Sequence, residues 1–161
     1  MRRLAMLLVF LALPAAAQSL DWSSPGSAGK IDPQTSLWTF SGAALVIPAA
    51  NITTVDAFYP VTNTYGSAFS LLPAWSTLKM TYADNSSAGS VFAELLEVDA
   101  CSATQRQLCS ITSSDGDGSP TCDTCTWVNG VDFGSHSYYV HVTVTKTDLP
   151  ANPKLYSVAV Y

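Results

Sequence analysis

Apolar and polar residues alternate along much of this chain with the period of a β-strand. The clearest run is Ser137 to Thr147. There Tyr138, Val140, Val142 and Val144 fall on one face, and Tyr139, His141, Thr143 and Thr145 on the other. Such alternation marks a half-buried antiparallel strand. Leu78, Met80 and Tyr82 against Thr77, Lys79 and Thr81 repeat it. Val91 to Asp99 carries apolar residues on both faces and reads as a central strand. Shorter candidates are Leu20–Trp22, Leu37–Phe40, Ala43–Ile47, Thr54–Tyr59 (irregular), Ser67–Leu72, Arg106–Thr112, Thr121–Val131 and Lys154–Tyr161. Pro48, Pro73, Pro150 and Pro153 and the Asp/Asn/Ser/Gly clusters after Ala83 and Thr112 punctuate them. No amphipathic helix and no internal repeat is visible. Eight to ten short strands with turns about every ten residues predict an all-β fold, a single antiparallel β-sandwich or jelly roll.

The first seventeen residues break this pattern. Arg2 and Arg3 precede the apolar run Leu4 to Leu13, then Pro14 and Ala15-Ala16-Ala17. This is the layout of a cleaved signal peptide over residues 1–17, with cleavage before Gln18. The run is too short to cross a bilayer core of ~30 Å. The expected organisation is the signal peptide, an extended segment over 18–36 and the sandwich over 37–161. The expected location is secreted or periplasmic. No cysteine stands at the cleavage point, which argues against a lipid anchor. An outer-membrane barrel is disfavoured because the strands are irregular and aromatic girdles are missing.

Charge narrows the partners. Seven basic residues face twelve acidic ones; without Arg2 and Arg3 five remain against twelve, a net charge of −7. That balance offers no electrostatic footprint for nucleic acid or an anionic membrane. Rings are abundant, with four Trp and seven Tyr. Exposed on a sheet face, they would stack sugar rings of a polysaccharide or cell-surface glycan; inside, they fill volume. Trp75 and Trp22 are the surface candidates, and Trp38 and Trp127 the core ones. Tyr139 and His141 share one face of the strongest strand and complete the candidate ligand-binding set, against a purely structural role for the histidine.

Catalytic patterns are lacking. His136 and His141 fall on opposite faces of one strand. Glu97 and Asp99 share a face, while Glu94 lies with Phe92 and Leu96 on the other. Paired carboxylates serve glycoside hydrolysis, but solvated strand-end residues fit the same pattern. The expectation is therefore a non-enzymatic carbohydrate or cell-surface ligand binder. A structural component of the envelope or extracellular matrix is the alternative, and a small glycoside-type hydrolase a third. Asp115 and Asp117 alternate with Gly116 and Gly118 in a manner that suits calcium, although a long hairpin turn is favoured. No other cofactor is expected.

Four cysteines in an exported chain predict two disulfides, with three possible connectivities. If Arg106–Ser113 and Thr121–Val128 form a hairpin, Cys109 faces Cys125, leaving Cys101 with Cys122. A shift of a few residues would face Cys109 with Cys122 instead. Cys122-Asp123-Thr124-Cys125 lacks the helix N-terminus that a redox motif needs, so it reads as part of a staple.

The run from Leu72 to Asn85, a proline-led loop, an alternating strand and an Asp/Asn turn, resembles exported bacterial β-sandwich, jelly-roll-like proteins of unassigned function. Ser137 to Val144 and Asn152 to Tyr161 are similar to the way those proteins end. The resemblance spans about the last ninety residues. It implies a fold and carries over no catalytic residue.

Overall fold

The structure, a computed structural model, describes residues 21–35, 37–64 and 73–161. The signal-peptide expectation over 1–17 and the strand expected at 67–72 lie outside these residues. The described chain forms eleven strands and one 3-10 turn. The strands are β1 Trp22–Pro25, β2 Lys30–Ile31, β3 Thr39–Ser41, β4 Ala44–Val46, β5 Thr53–Val61 and β6 Thr77–Ala83. They continue with β7 Gly89–Asp99, β8 Gln105–Thr112, β9 Thr121–Thr126, β10 His136–Lys146 and β11 Lys154–Val160.

Two antiparallel sheets pack as a β-sandwich. The six-stranded sheet runs β3-β4-β11-β6-β9, with β1 also on β11; the five-stranded sheet runs β2-β5-β10-β7-β8. Alternation decides which side chains meet between them. Val140, Val142 and Val144 of β10 point inward, as do Val55, Ala57 and Tyr59 of β5 and Leu78, Met80 and Tyr82 of β6. Each fully buried aliphatic side chain stabilises the fold by about 1.5–3 kcal/mol through lost apolar exposure. Central β10 is flanked on both sides by nine- and eleven-residue ladders, whereas Val91–Asp99 lies one place towards the edge. The strand Lys30–Ile31 was not foreseen; two residues are too few to show alternation.

Trp22 and Trp75, expected at the surface, are core residues, 7 % and 1 % exposed. Trp22 pairs with Val160 on β11 and turns its indole inward. Trp75 sits where the chain enters β6 and meets Phe133 edge to face at 6.0 Å. Their large apolar area dictates burial more strongly than their position in loop-like sequence. Trp127 is buried as expected, while Trp38 is half-buried against Phe40 at 4.8 Å.

The expected hairpin between β8 and β9 does not form. β8 pairs with β7 in one sheet and β9 with β6 in the other. Buried Asp84, just after β6, redirects the chain. Its Oδ2 accepts from Ser113 Oγ at 2.7 Å, and its carbonyl accepts from Gly116 N at 3.0 Å. Ser114 N donates to Tyr82 Oη at 3.0 Å. The loop leaving β8 is thus captured by groups of the opposite sheet.

The disulfide Cys109–Cys125 is present, but it links the two sheets at their common edge rather than two strands of a hairpin. A bulge makes this possible. Leu95 pairs with Cys109 and Leu96 with Gln107, so Leu108 is the extra residue and both Leu108 and Cys109 pack on the core. The second expected bond, Cys101–Cys122, is absent: both thiols are free and exposed. Cys101 lies in the β7–β8 turn, and Cys122, opposite Thr81, faces away from the core.

Candidate functional site

Alternation on the five-stranded sheet also fixes what faces outward. Thr54, Asp56, Phe58 and Pro60 of β5 lie beside Thr145, Thr143, His141 and Tyr139 of β10. These in turn lie beside Ser90, Phe92, Glu94 and Leu96 of β7. Cross-strand neighbours on one face are close enough for direct side-chain contact. One row reads Lys30, Phe58, His141, Glu94, Ser110 across all five strands.

His141 is the centre of this face. Its Nε2 is 3.0 Å from Asp56 Oδ1 and its Nδ1 is 3.0 Å from Glu94 Oε1. Thr143 Oγ1 donates to the same Asp56 oxygen at 2.7 Å. An imidazole carrying a proton on each nitrogen donates to both carboxylates at once. Phe58 stacks on the ring at 4.9 Å with planes 8° apart, and Tyr139 stands 6.1 Å from Phe58. Burial, and then the charge of Glu94, raise the Tyr139 phenol above its ordinary pKa, so it stays a hydrogen-bond donor. The face therefore joins ring surfaces to fixed acceptors, and its side chains remain reachable: those of His141, Asp56 and Glu94 are 23 %, 35 % and 18 % exposed.

An open depression of about 330 Å³ adjoins this row at the edge of the sheet. Lys30, Ile31, Asp32, Pro33 and Phe58 line it. Asp32 is rigidly held: its amide donates to Asp56 O at 3.0 Å and its Oδ1 accepts from Gln34 N at 2.9 Å.

Tyr139 and His141 are thus brought together, while Trp22 and Trp75 are separated from them in the core. Phe58, Asp56 and the lining of the depression were not anticipated. The signal for the first two was present, since Thr54, Asp56, Phe58 and Pro60 alternate with Val55, Ala57 and Tyr59. Pro60 and Asn63 obscured it.

The remaining carboxylates do not converge on this face. Glu97 Oε1 accepts from Arg106 Nε at 3.0 Å and Nη2 at 2.8 Å, while Tyr138 Oη donates to its Oε2 at 3.0 Å. Asp99 caps the turn after β7; the amides of Ser102 and Cys101 donate to its Oδ1, and these bonds hold its carboxyl below the usual range. Asp115 and Asp117 sit in the exposed loop before β9, and Asp117 Oδ1 accepts from Ser119 N at 2.8 Å, a local turn contact. Among the described residues no group of three or more His, Cys, Asp or Glu is placed to hold a metal ion. Among them, too, no helix is long and apolar enough to cross a membrane.

No protein-family model matches the chain, and no curated protein matches it. Solved structures similar to it include TmCBM61 in complex with β-1,4-galactotriose, at 12 % identity and a TM-score of 0.46, covering 89 % of this chain and 88 % of that one. A xylan-binding domain from CBM 22 is similar at 12 % identity and a TM-score of 0.43, covering 91 % and 88 %. At this level of likeness any functional reading rests on the chain's own residues.

Proposed function

We propose that this chain is an exported, non-catalytic carbohydrate-binding sandwich whose ligand surface is the outer face of the five-stranded sheet. The observation that carries the reading is the grouping of Phe58, Tyr139 and His141 with Asp56 and Glu94 on one accessible face. A pyranose has an apolar C–H face that packs on aromatic rings and a rim of hydroxyls that donate to carboxylates. The cross-strand hydrogen bonds hold these groups in place before any ligand arrives, which lowers the entropic cost of binding. The export-type amino terminus and the Cys109–Cys125 disulfide support an oxidising, extracellular setting. The structural bonds of Glu97 and Asp99, and their separation from Glu94, favour binding over bond cleavage.

The test is retention on insoluble cellulose, xylan, galactan and chitin, together with a glycan array. Binding to at least one glycan, weakened by Tyr139→Ala and Glu94→Gln in folded protein, supports the proposal. Absence of binding to every glycan on both formats refutes it.

A further inference from the structure

Among the described residues, ring stacking occupies one side of Phe58. His141, on β10, covers that side. β5 lies between β10 and β2, and Lys30 of β2 is the direct partner of Phe58. The other side of the ring is therefore turned towards β2, where it forms a wall of the depression with Lys30, Ile31, Asp32 and Pro33.

The chemistry of this hollow is specific. Phe58, Ile31 and Pro33 supply apolar walls. Lys30 Nζ makes no ion pair or hydrogen bond among the described residues, so its three donors are available. Asp32 uses Oδ1 in its turn, and Oδ2 remains an acceptor. A volume of about 330 Å³ is at the small end of ligand sites, which run from ~300 Å³ upward. That is room for one ring, not for an oligomer. Asp32, with Asp56 and Glu94 close by on the same face, disfavours an anionic sugar.

Building on the carbohydrate-binding reading, we infer that the depression is a subsite for a single neutral pyranose at the end of a glycan chain. The ring stacks on the face of Phe58 that His141 leaves open. Lys30 donates to its hydroxyls and Asp32 accepts from them. The rest of the chain continues towards Tyr139. His141, with its two carboxylates, acts as a positioning residue that keeps the Phe58 ring upright.

The experiment is an amide-resolved NMR titration of the full mature chain. The probes are methyl glucoside, galactoside, mannoside and xyloside, their β-1,4-linked trisaccharides, and methyl glucuronide. A neutral sugar is expected to shift the amides of residues 30–32 and 58, and the glucuronide to bind more weakly than the glucoside. Lys30→Ala and Asp32→Asn are expected to weaken the trisaccharide that binds by about tenfold, as loss of one charge-assisted hydrogen bond does, with unchanged melting temperature. The asparagine keeps the turn at position 32, so folding does not confound the result. Sugars that shift only Tyr139, His141 and Glu94, with both variants binding like the parent, would overturn the subsite and leave the surface reading standing. If no sugar of this panel shifts any outer-face resonance, the subsite is overturned, while the surface proposal stands or falls by its own glycan screen.

Discussion

The ring of Phe58 lies nearly parallel to the imidazole of His141, with centroids 4.9 Å apart. The two come from neighbouring strands and are direct cross-strand partners. Aromatic pairs of this kind are coupled by about 0.5–1.5 kcal/mol beyond the area they bury. A double-mutant cycle of Phe58→Ala and His141→Ala, followed by urea unfolding, should return a coupling energy of about 1 kcal/mol. Strict additivity would show that the contact is geometric only.

Asp84 should be costly to lose. It is 2 % exposed, and its carboxylate anchors Ser113, whose hydroxyl in turn accepts from Val91 N at 2.9 Å. Asp84→Ala removes this part-buried hydrogen bond to a carboxylate, a loss of about 1.5–3 kcal/mol. Equilibrium unfolding measures it. A change below experimental error would mean that the loop crosses between the sheets without this anchor.

Thiol chemistry separates the four cysteines. Native protein without reductant should take up two alkyl groups, at Cys101 and Cys122, and peptide mapping should find only Cys109–Cys125 linked. Replacing Cys109 and Cys125 together with alanine should destabilise the fold by about 3 kcal/mol, the value for a loop near fifteen residues. A native protein that takes up no label would restore the Cys101–Cys122 bond.

Alkaline pH should unfold the protein through its phenols. Burial pushes Tyr138 up to about 12, and it also raises Tyr59 and Tyr139. Unfolded tyrosines lose their proton near pH 10, before the folded ones. Stability from this source is therefore complete below pH 10 and is lost as pH rises from 10 towards 12. Melting temperatures across that range should fall, and Tyr138→Phe should fall less steeply. Equal slopes in the two proteins would remove Tyr138 from the account.

The long strands were legible because their alternation is local. β6 and β10 need only period two to declare both their existence and their faces, and the shared face of Tyr139 and His141 followed from that; β7, apolar on both faces, declared only its existence. What escaped depends on long-range contacts. The capture of Ser113 and Ser114 by Asp84 and Tyr82 joins residues about thirty positions apart, and it decides which sheet β9 enters. The Cys109–Cys125 pairing was anticipated from a hairpin that does not exist, since proximity at a sandwich edge can mimic proximity across a turn. Trp22 and Trp75 were misplaced for a related reason. Loop-like flanks say nothing of whether a side chain reaches the core. The depression could not be foreseen, because β2 is only two residues long and its pairing with Phe58 arises in three dimensions.

The disulfide has a mechanical corollary. It fastens the sandwich along the margin formed by β8 and β9, as a spine fastens two covers. At the far margin lie β2 and β3, held by ladders of two and three residue pairs. Few backbone bonds have to break there, so local opening is expected to start at these strands. The hollow beside Phe58 opens on this side, away from the disulfide. A sugar seated between Lys30, Asp32 and Phe58 would tie β2 to β5, so grip on the ligand and resistance to unfolding would rise together.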